Sequence, residues 1–168
     1  VGKISSAINS QNNEIDMVIT TGGTADGPRD FIKSAIAAFA GEYLIDRVKV
    51  RPGYHILLAK IASQKGTNLA FLALPGNPQS AIAALISFGR PIIDAMRGLT
   101  PAVLVTVQMS QEMKVQEGFA RLVPSVIENN ICTPTNYLSS HMLRGVGAAD
   151  GFALVSEAGP TRWLPIPQ

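Results

Sequence analysis

Met17-Val18-Ile19-Thr20-Thr21-Gly22-Gly23-Thr24-Ala25-Asp26-Gly27-Pro28-Arg29-Asp30 is the stretch on which the fold turns. Its first residues are an apolar run that reads as a buried strand. Beyond it, Phe31, Ala35, Ile36 and Phe39 recur at helical spacing. A strand that feeds a glycine-rich turn and then a helix is suited to holding an anion. Glycine lets backbone N–H groups approach a ligand closely, and a helix N-terminus adds partial positive charge. For a lone Gly-Gly pair, a plain tight turn is the better reading. The surrounding Thr20, Thr21, Thr24, Asp26 and Asp30 add hydroxyls and carboxylates suited to a hydrated Mg²⁺ or a phosphate. Asp26 reads either as such a ligand or as a helix cap. Asp30 is expected in the first helical turn.

A second stretch has the same plan. Leu69 to Leu74 is continuously apolar and reads as a fully buried strand, followed by Pro75-Gly76-Asn77-Pro78. Asn77 suits an N-cap and Pro78 the first helical position. Ile82, Leu85, Ile86, Ile92, Ile93 and Met96 form the expected core stripe of the helix. Gly98 is its expected stop, and Pro91 an expected break. Two such units on one parallel sheet would bring both loops to the carboxyl edge, where open α/β sheets bind ligands. Residues 43–50 and 54–61 read as an extended pair joined through Arg51-Pro52-Gly53. Arg51 reads either as a fixed cation at that edge or as a solvated turn arginine.

The pattern changes at Gly98-Leu99-Thr100-Pro101. Beyond it, 102–107, 119–127, 131–135, 151–155 and 163–166 read as short strands, with Glu128-Asn129-Asn130 a polar turn. These suggest a small β-barrel or sandwich. The expected division is therefore 1–98 and 99–168.

The 168 residues are 46% hydrophobic and 15% charged, which suits a globular chain. A formal charge of +2 with scattered basic residues gives no support for a nucleic-acid partner. No apolar stretch reaches membrane-spanning length, so the expectation is a cytoplasmic protein with no membrane partner. Cys132 is the only cysteine and reads as a small core residue. His55 and His141 have no second ligand nearby for zinc.

These residues carry a resemblance. The 16–30 stretch, Arg51-Pro52-Gly53 and above all Leu74-Pro75-Gly76-Asn77-Pro78-Gln79-Ser80-Ala81 resemble the molybdopterin molybdotransferase family. Ser139-Ser140-His141-Met142-Leu143, Ala149-Asp150-Gly151-Phe152 and Phe119-Ala120-Arg121 are similar to stretches of that family's small β domain. The resemblance implies a three-layer α/β domain of the molybdenum-cofactor-biosynthesis (MogA-like) type, truncated at its N-terminus, followed by a small β-barrel. It implies insertion of molybdate into adenylylated molybdopterin, with Mg²⁺-dependent release of AMP and a homodimeric full-length protein. The fragment alone would be inactive.

Residue by residue, the resemblance implies that Thr21, Gly22, Gly23, Thr24, Pro75, Gly76, Asn77, Pro78 and Ser80 hold the nucleotide and pterin phosphates. Asp30 would bind Mg²⁺ or assist hydrolysis of the adenylate, and Arg51 would meet molybdate or phosphate. Ser140 and Arg144 would face the cleft of a partner subunit. Tyr54 stands where the family usually has Lys, and Ala25 where it has Ser. Two alternatives stay open: a related molybdopterin adenylyltransferase, and a non-catalytic pterin- or nucleotide-binding scaffold.

Overall fold

The structure is a computed structural model that describes residues 2–10, 15–62, 68–100, 102–136 and 143–167. Ser140, the Ser139-to-Met142 stretch and the turn expected at 63–67 lie outside the described residues. By compactness the chain forms two units: 1–48 with 54–76, and 49–53 with 77–168.

The first unit holds α1 (Gly2–Ser10), β1 (Met17–Thr21), α2 (Ile32–Ala38), β2 (Glu42–Asp46), β4 (Leu57–Ala62) and β5 (Asn68–Leu74). Its sheet order is β1-β5-β4-β2. β1 and β5 are parallel, with Thr21 opposite Leu74, whereas β4 runs antiparallel to both β5 and β2. The sheet is thus mixed and not parallel throughout. The short link between β4 and β5 permits only a hairpin, since a parallel return needs a longer crossover. The two loops nevertheless leave the same sheet edge, because β1 and β5 point the same way.

Alternate residues build the core, as the two-residue period of a strand requires. Leu57, Ala59 and Ile61 align with Leu69, Phe71 and Ala73 against Ile32 and Ile36 of α2, with Ile4 and Ile8 of α1 packed alongside. Both helices therefore cover one face. α2 starts only at Ile32, so Asp30 is not in its first turn as expected. Residues 27–30 form a closed turn in which Asp30 N–H donates to the Gly27 carbonyl at 3.0 Å, so Phe31 becomes the cap.

The second unit begins with β3 (Val50–Arg51), which leaves the β2–β4 connection to pair in parallel with β7 (Ala120–Glu128). The 51–53 segment is therefore part of a second sheet and more than a turn. α3 (Pro78–Ala84), a π-helical turn over Leu85–Gly89 and α4 (Arg90–Met96) make up the long helix. The break falls where Pro91 lacks an N–H and crowds the preceding turn. At the end, Gly98 N–H donates to Ala95 and Leu99 N–H to Asp94, the double bond of a Schellman stop. The expected apolar stripe is not the buried face. Gln79, Ser80, Ala83 and Ala84 are buried, α4 has no buried residue, and Leu85 is 37% and Met96 47% exposed.

The remaining strands, β6 (Gln108–Met109), β8 (Ile131–Pro134), β9 (Gly151–Ser156) and β10 (Gly159–Pro165), join β7 in the order β10-β9-β7-β8-β6. Asn129 and Asn130 take positive φ in the two-residue β7–β8 turn. The expected strand over 102–107 is reduced to a bridge at Thr106. Val107 N–H donates to Thr161, Trp163 N–H donates to Val105, and β6 then pairs with β8. This segment ties the two ends of the curled sheet into a partial barrel. Val107, Val123, Cys132, Ala153 and Trp163 fill it, so Cys132 is the core residue expected. α5 (Leu143–Gly147) is a single short helix, with Arg144 exposed.

Candidate functional site: a double glycine loop and an arginine pair

The two loops of the first unit are joined by backbone contacts. Gly22 N–H donates to the Leu74 carbonyl at 2.9 Å, and Thr21 Oγ1 donates to the Pro75 carbonyl at 3.2 Å. Gly22 and Gly23 lie at φ 82° and 68°, where a side chain would be strained. Gly76 faces Gly22 so closely that an added Cβ would stand 3.3 Å from the Gly22 Cα. Thr21, Gly22, Gly23, Thr24, Pro75 and Gly76 are therefore brought together at one edge of one sheet. Their hydroxyls are not all directed at a ligand. Thr21 is spent on the loop itself, Thr24 is buried, and Thr20 Oγ1 is buried without a partner among the described residues. An anion here would be met mainly by main-chain groups.

Asp30 precedes α2 and does not sit in its first turn. Its Oδ2 accepts from Gly27 N–H at 2.8 Å. Among the described residues no cluster of three or more His, Cys, Asp or Glu forms a metal cage. A lone carboxylate still fits Mg²⁺, which usually takes one or two carboxylates plus substrate phosphates.

Asp26 is not a helix cap. Lys33 Nζ approaches its Oδ1 at 2.9 Å, and Arg47 Nη2 takes its Oδ2. The hydrogen bond from Lys33 is the main reason its pKa lies below the ordinary 3.8, with Arg47 adding to the effect against the pull of burial. Arg47 is held above its ordinary value chiefly by its hydrogen bond with Tyr54. The Arg47 guanidinium lies 6.0 Å from the Tyr54 ring centroid, and His55 stacks edge-on to that ring at 5.0 Å. Thus a cation from the β2–β4 connection stands beside the tyrosine that replaces the lysine expected from the resemblance.

In the second unit, Asn77 caps α3. Its Oδ1 accepts from Ser80 N–H at 3.2 Å and from Ser80 Oγ at 3.3 Å, so the Ser80 hydroxyl is already engaged and buried. Pro78 takes the first helical position. Arg51 lies directly opposite Arg121 in the parallel β3–β7 pair, so both side chains leave the same face. The Arg51 guanidinium sits 5.2 Å from the Phe119 centroid, and Arg121 Nη1 donates to the Lys114 carbonyl at 3.0 Å. Neither arginine has an ion-pair partner among the described residues. The sequence alone assigns Arg121 no role, because only the strand register shows what it lies beside. Asp150 proves structural: its Oδ2 accepts from Ile127 N–H at 3.0 Å, where β7 passes the start of β9.

Among the described residues no helix is long and apolar enough to cross a membrane. The family described as "Probable molybdopterin binding domain" matches residues 1–95. The chain belongs to this family. It is 23% identical over 168 residues to the molybdopterin molybdenumtransferase of Bacillus subtilis (strain 168), covering 92% of this chain and 38% of that protein. It is 29% identical over 101 residues to that of Nostoc sp. (strain PCC 7120), covering 58% of this chain and 23% of that protein. The chain thus spans well under half the length of these relatives. Among solved structures, a molybdopterin biosynthesis MoeA protein from Pyrococcus horikoshii superposes with a TM-score of 0.67 at 21% identity. It covers 96% of this chain, which spans 38% of that one. A molybdenum cofactor biosynthesis protein from Pyrococcus furiosus gives a TM-score of 0.66 at 15% identity, over 97% of this chain and 51% of that one. At these identities the superpositions speak to the fold, an α/β unit with a curled sheet.

Proposed function

We propose that the chain is part of a molybdopterin molybdotransferase acting in molybdenum cofactor biosynthesis. The reaction is insertion of molybdate into adenylylated molybdopterin, with release of AMP. The observation that supports this best is the glycine double loop, at the joint carboxyl edge of β1 and β5, within the stretch that matches the molybdopterin-binding family.

In this reading the Gly22-Gly23-Thr24 and Pro75-Gly76 main chain receives the phosphates of the adenylylated pterin. Asn77 and Pro78 set the start of the helix that follows, and Ser80 secures that cap. Asp30 is the single protein carboxylate for Mg²⁺, whose role when bound is to neutralise charge on the pyrophosphate as AMP departs. Arg51, with Arg121 beside it, offers two guanidinium groups to an oxyanion such as molybdate. The substrates are polyanions, so backbone N–H groups, cations and a metal suffice without a covalent nucleophile. The 1–98 and 99–168 division, Ser140 at the cleft of a partner subunit, the homodimer and a cytoplasmic setting belong to the same proposal.

Calorimetric titration of AMP with Mg²⁺ into the full-length protein tests it, with Asp30→Asn alongside. Mg²⁺-dependent binding that weakens in Asp30→Asn is the expected result. An asparagine oxygen can still accept from Gly27 N–H, so the variant should melt close to the parent temperature. Absence of binding in both proteins would overturn the reading.

A non-catalytic nucleotide-binding scaffold is the second reading. The carboxylate of Asp26 favours it, because that carboxylate engages Lys33 and Arg47 beside the glycine loop. Nucleotide binding without complementation of a molybdotransferase-deficient strain would select it.

A further inference from the structure

The two oxygens of Asp26 are taken by two different cations. Lys33 of α2 lies 2.9 Å from Oδ1, and Arg47 of the β2–β4 connection holds Oδ2. Asp46 stands behind them, 3.6 Å from Lys33 Nζ and 3.8 Å from Arg47 Nε. Tyr54 flanks the guanidinium. One anion with its oxygens divided between two cations is an arrangement that also suits a phosphate ligand, since charge-assisted hydrogen bonds are the strong ones. Here the anion belongs to the chain itself, at the tip of the glycine loop.

Exposure separates the fixed part from the movable part. The Lys33 and Arg47 side chains are 30% and 32% exposed, whereas Asp26 is 58% exposed. Such exposed ion pairs are weakly held in water, so a carboxylate on a loop can exchange with a dissolved anion. Once it leaves, Asp46 is the one carboxylate still within ion-pair distance of the two cations among the described residues.

We propose that Lys33 and Arg47 form a phosphoryl subsite beside the glycine loop, and that the Asp26 carboxylate is its resident occupant. A phosphate monoester or pyrophosphate binds there by displacing Asp26. Asp26 thereby sets the affinity of the loop for phosphorylated ligands and acts as an internal competitor. The inference deepens the nucleotide reading above by naming the residue that limits it.

The test uses inorganic pyrophosphate without Mg²⁺, titrated calorimetrically into the full-length protein, Asp26→Asn, and Asp26→Asn combined with Arg47→Gln. Asp26→Asn should bind on the order of tenfold more tightly, with a gain that shrinks as salt is added. The double variant should lose that gain. Equal binding by the parent and Asp26→Asn would overturn the proposal. Should Asp26→Asn fold poorly, the parent protein decides by NMR. Saturating pyrophosphate should raise the Asp26 carboxyl pKa toward its ordinary value, and an unmoved titration would overturn the proposal. Because the probe carries neither nucleoside nor pterin, the subsite can stand if AMP fails to bind, and can fall while AMP binds.

Discussion

Gly76 and Gly22 meet backbone to backbone across the two loops of the first unit, so closely that a methyl group on Gly76 would crowd its neighbour. A Cβ on Gly76 would stand 3.3 Å from the Gly22 Cα. Gly76→Ala should therefore part the loops by a few tenths of an ångström and weaken the Gly22–Leu74 hydrogen bond. The expected cost is about 1–2 kcal/mol in thermal or urea unfolding, with weaker AMP binding. Unchanged stability and binding would show that the loops can separate freely.

The cluster around Asp26 predicts a pH profile with a defined sign. Asp26 has its folded pKa lowered below 3.8, first by the Lys33 hydrogen bond, so its contribution is present above 3.8 and is lost as pH falls through the lower folded value. Lys33 has its pKa raised above 10.5, first by the same bond. Its contribution is present below 10.5 and is lost as pH rises through the higher folded value. The pair should therefore hold across neutral pH and open only at the two extremes. An NMR titration of the Asp26 carboxyl that shows an ordinary pKa would contradict the ion pairs.

Gly151→Ala should disrupt the barrel. A Cβ there would meet the Leu164 carbonyl, and would lie 2.6 Å from Cζ2 of Trp163, which is buried. Overpacking of this kind typically costs about 1–3 kcal/mol, and a backbone obstacle that cannot turn aside places this variant at the upper end. Trp163 is the only tryptophan, so its fluorescence reports the change. A parent-like spectrum and melting temperature would refute the packing.

Truncation should cost far more at Phe71 than at Leu85. Phe71 is fully buried in the first core, so Phe71→Ala should cost about 3–5 kcal/mol. Leu85 lies in the π-helical turn and is exposed, so Leu85→Ala should stay within about 1 kcal/mol. Denaturant unfolding of both variants checks the ranking.

Local chemistry was legible wherever one stretch of chain decided the outcome. The apolar run 69–74, the Asn77-Pro78 helix start, the Gly98 stop and the Asn129-Asn130 turn each form the element their residues predict. The break near Pro91 was also readable, although its π-helical form was not. Features set by distant partners were hidden. Helical spacing identified an apolar stripe through Leu85, but the packed face is the small one at Ala83 and Ala84. Arg51 looked like part of a turn because its partner strand lies 70 residues away. In the sequence, Asp26 and Asp30 both read as candidate ligands. Only the placement of Lys33, Arg47 and the Gly27 amide shows that each carboxylate already has a partner within the protein.

β3 carries a consequence for inheritance and engineering. The chain passes from the first unit to the second at 48/49, returns at 53/54 and leaves again at 76/77. Severing the chain at 98/99 would therefore part Val50-Arg51 from Ala120-Arg121 and bare the buried Val50. Neither half is a portable cassette, so recombination that swapped one for a homologue's would have to carry a matching two-residue insert with the other.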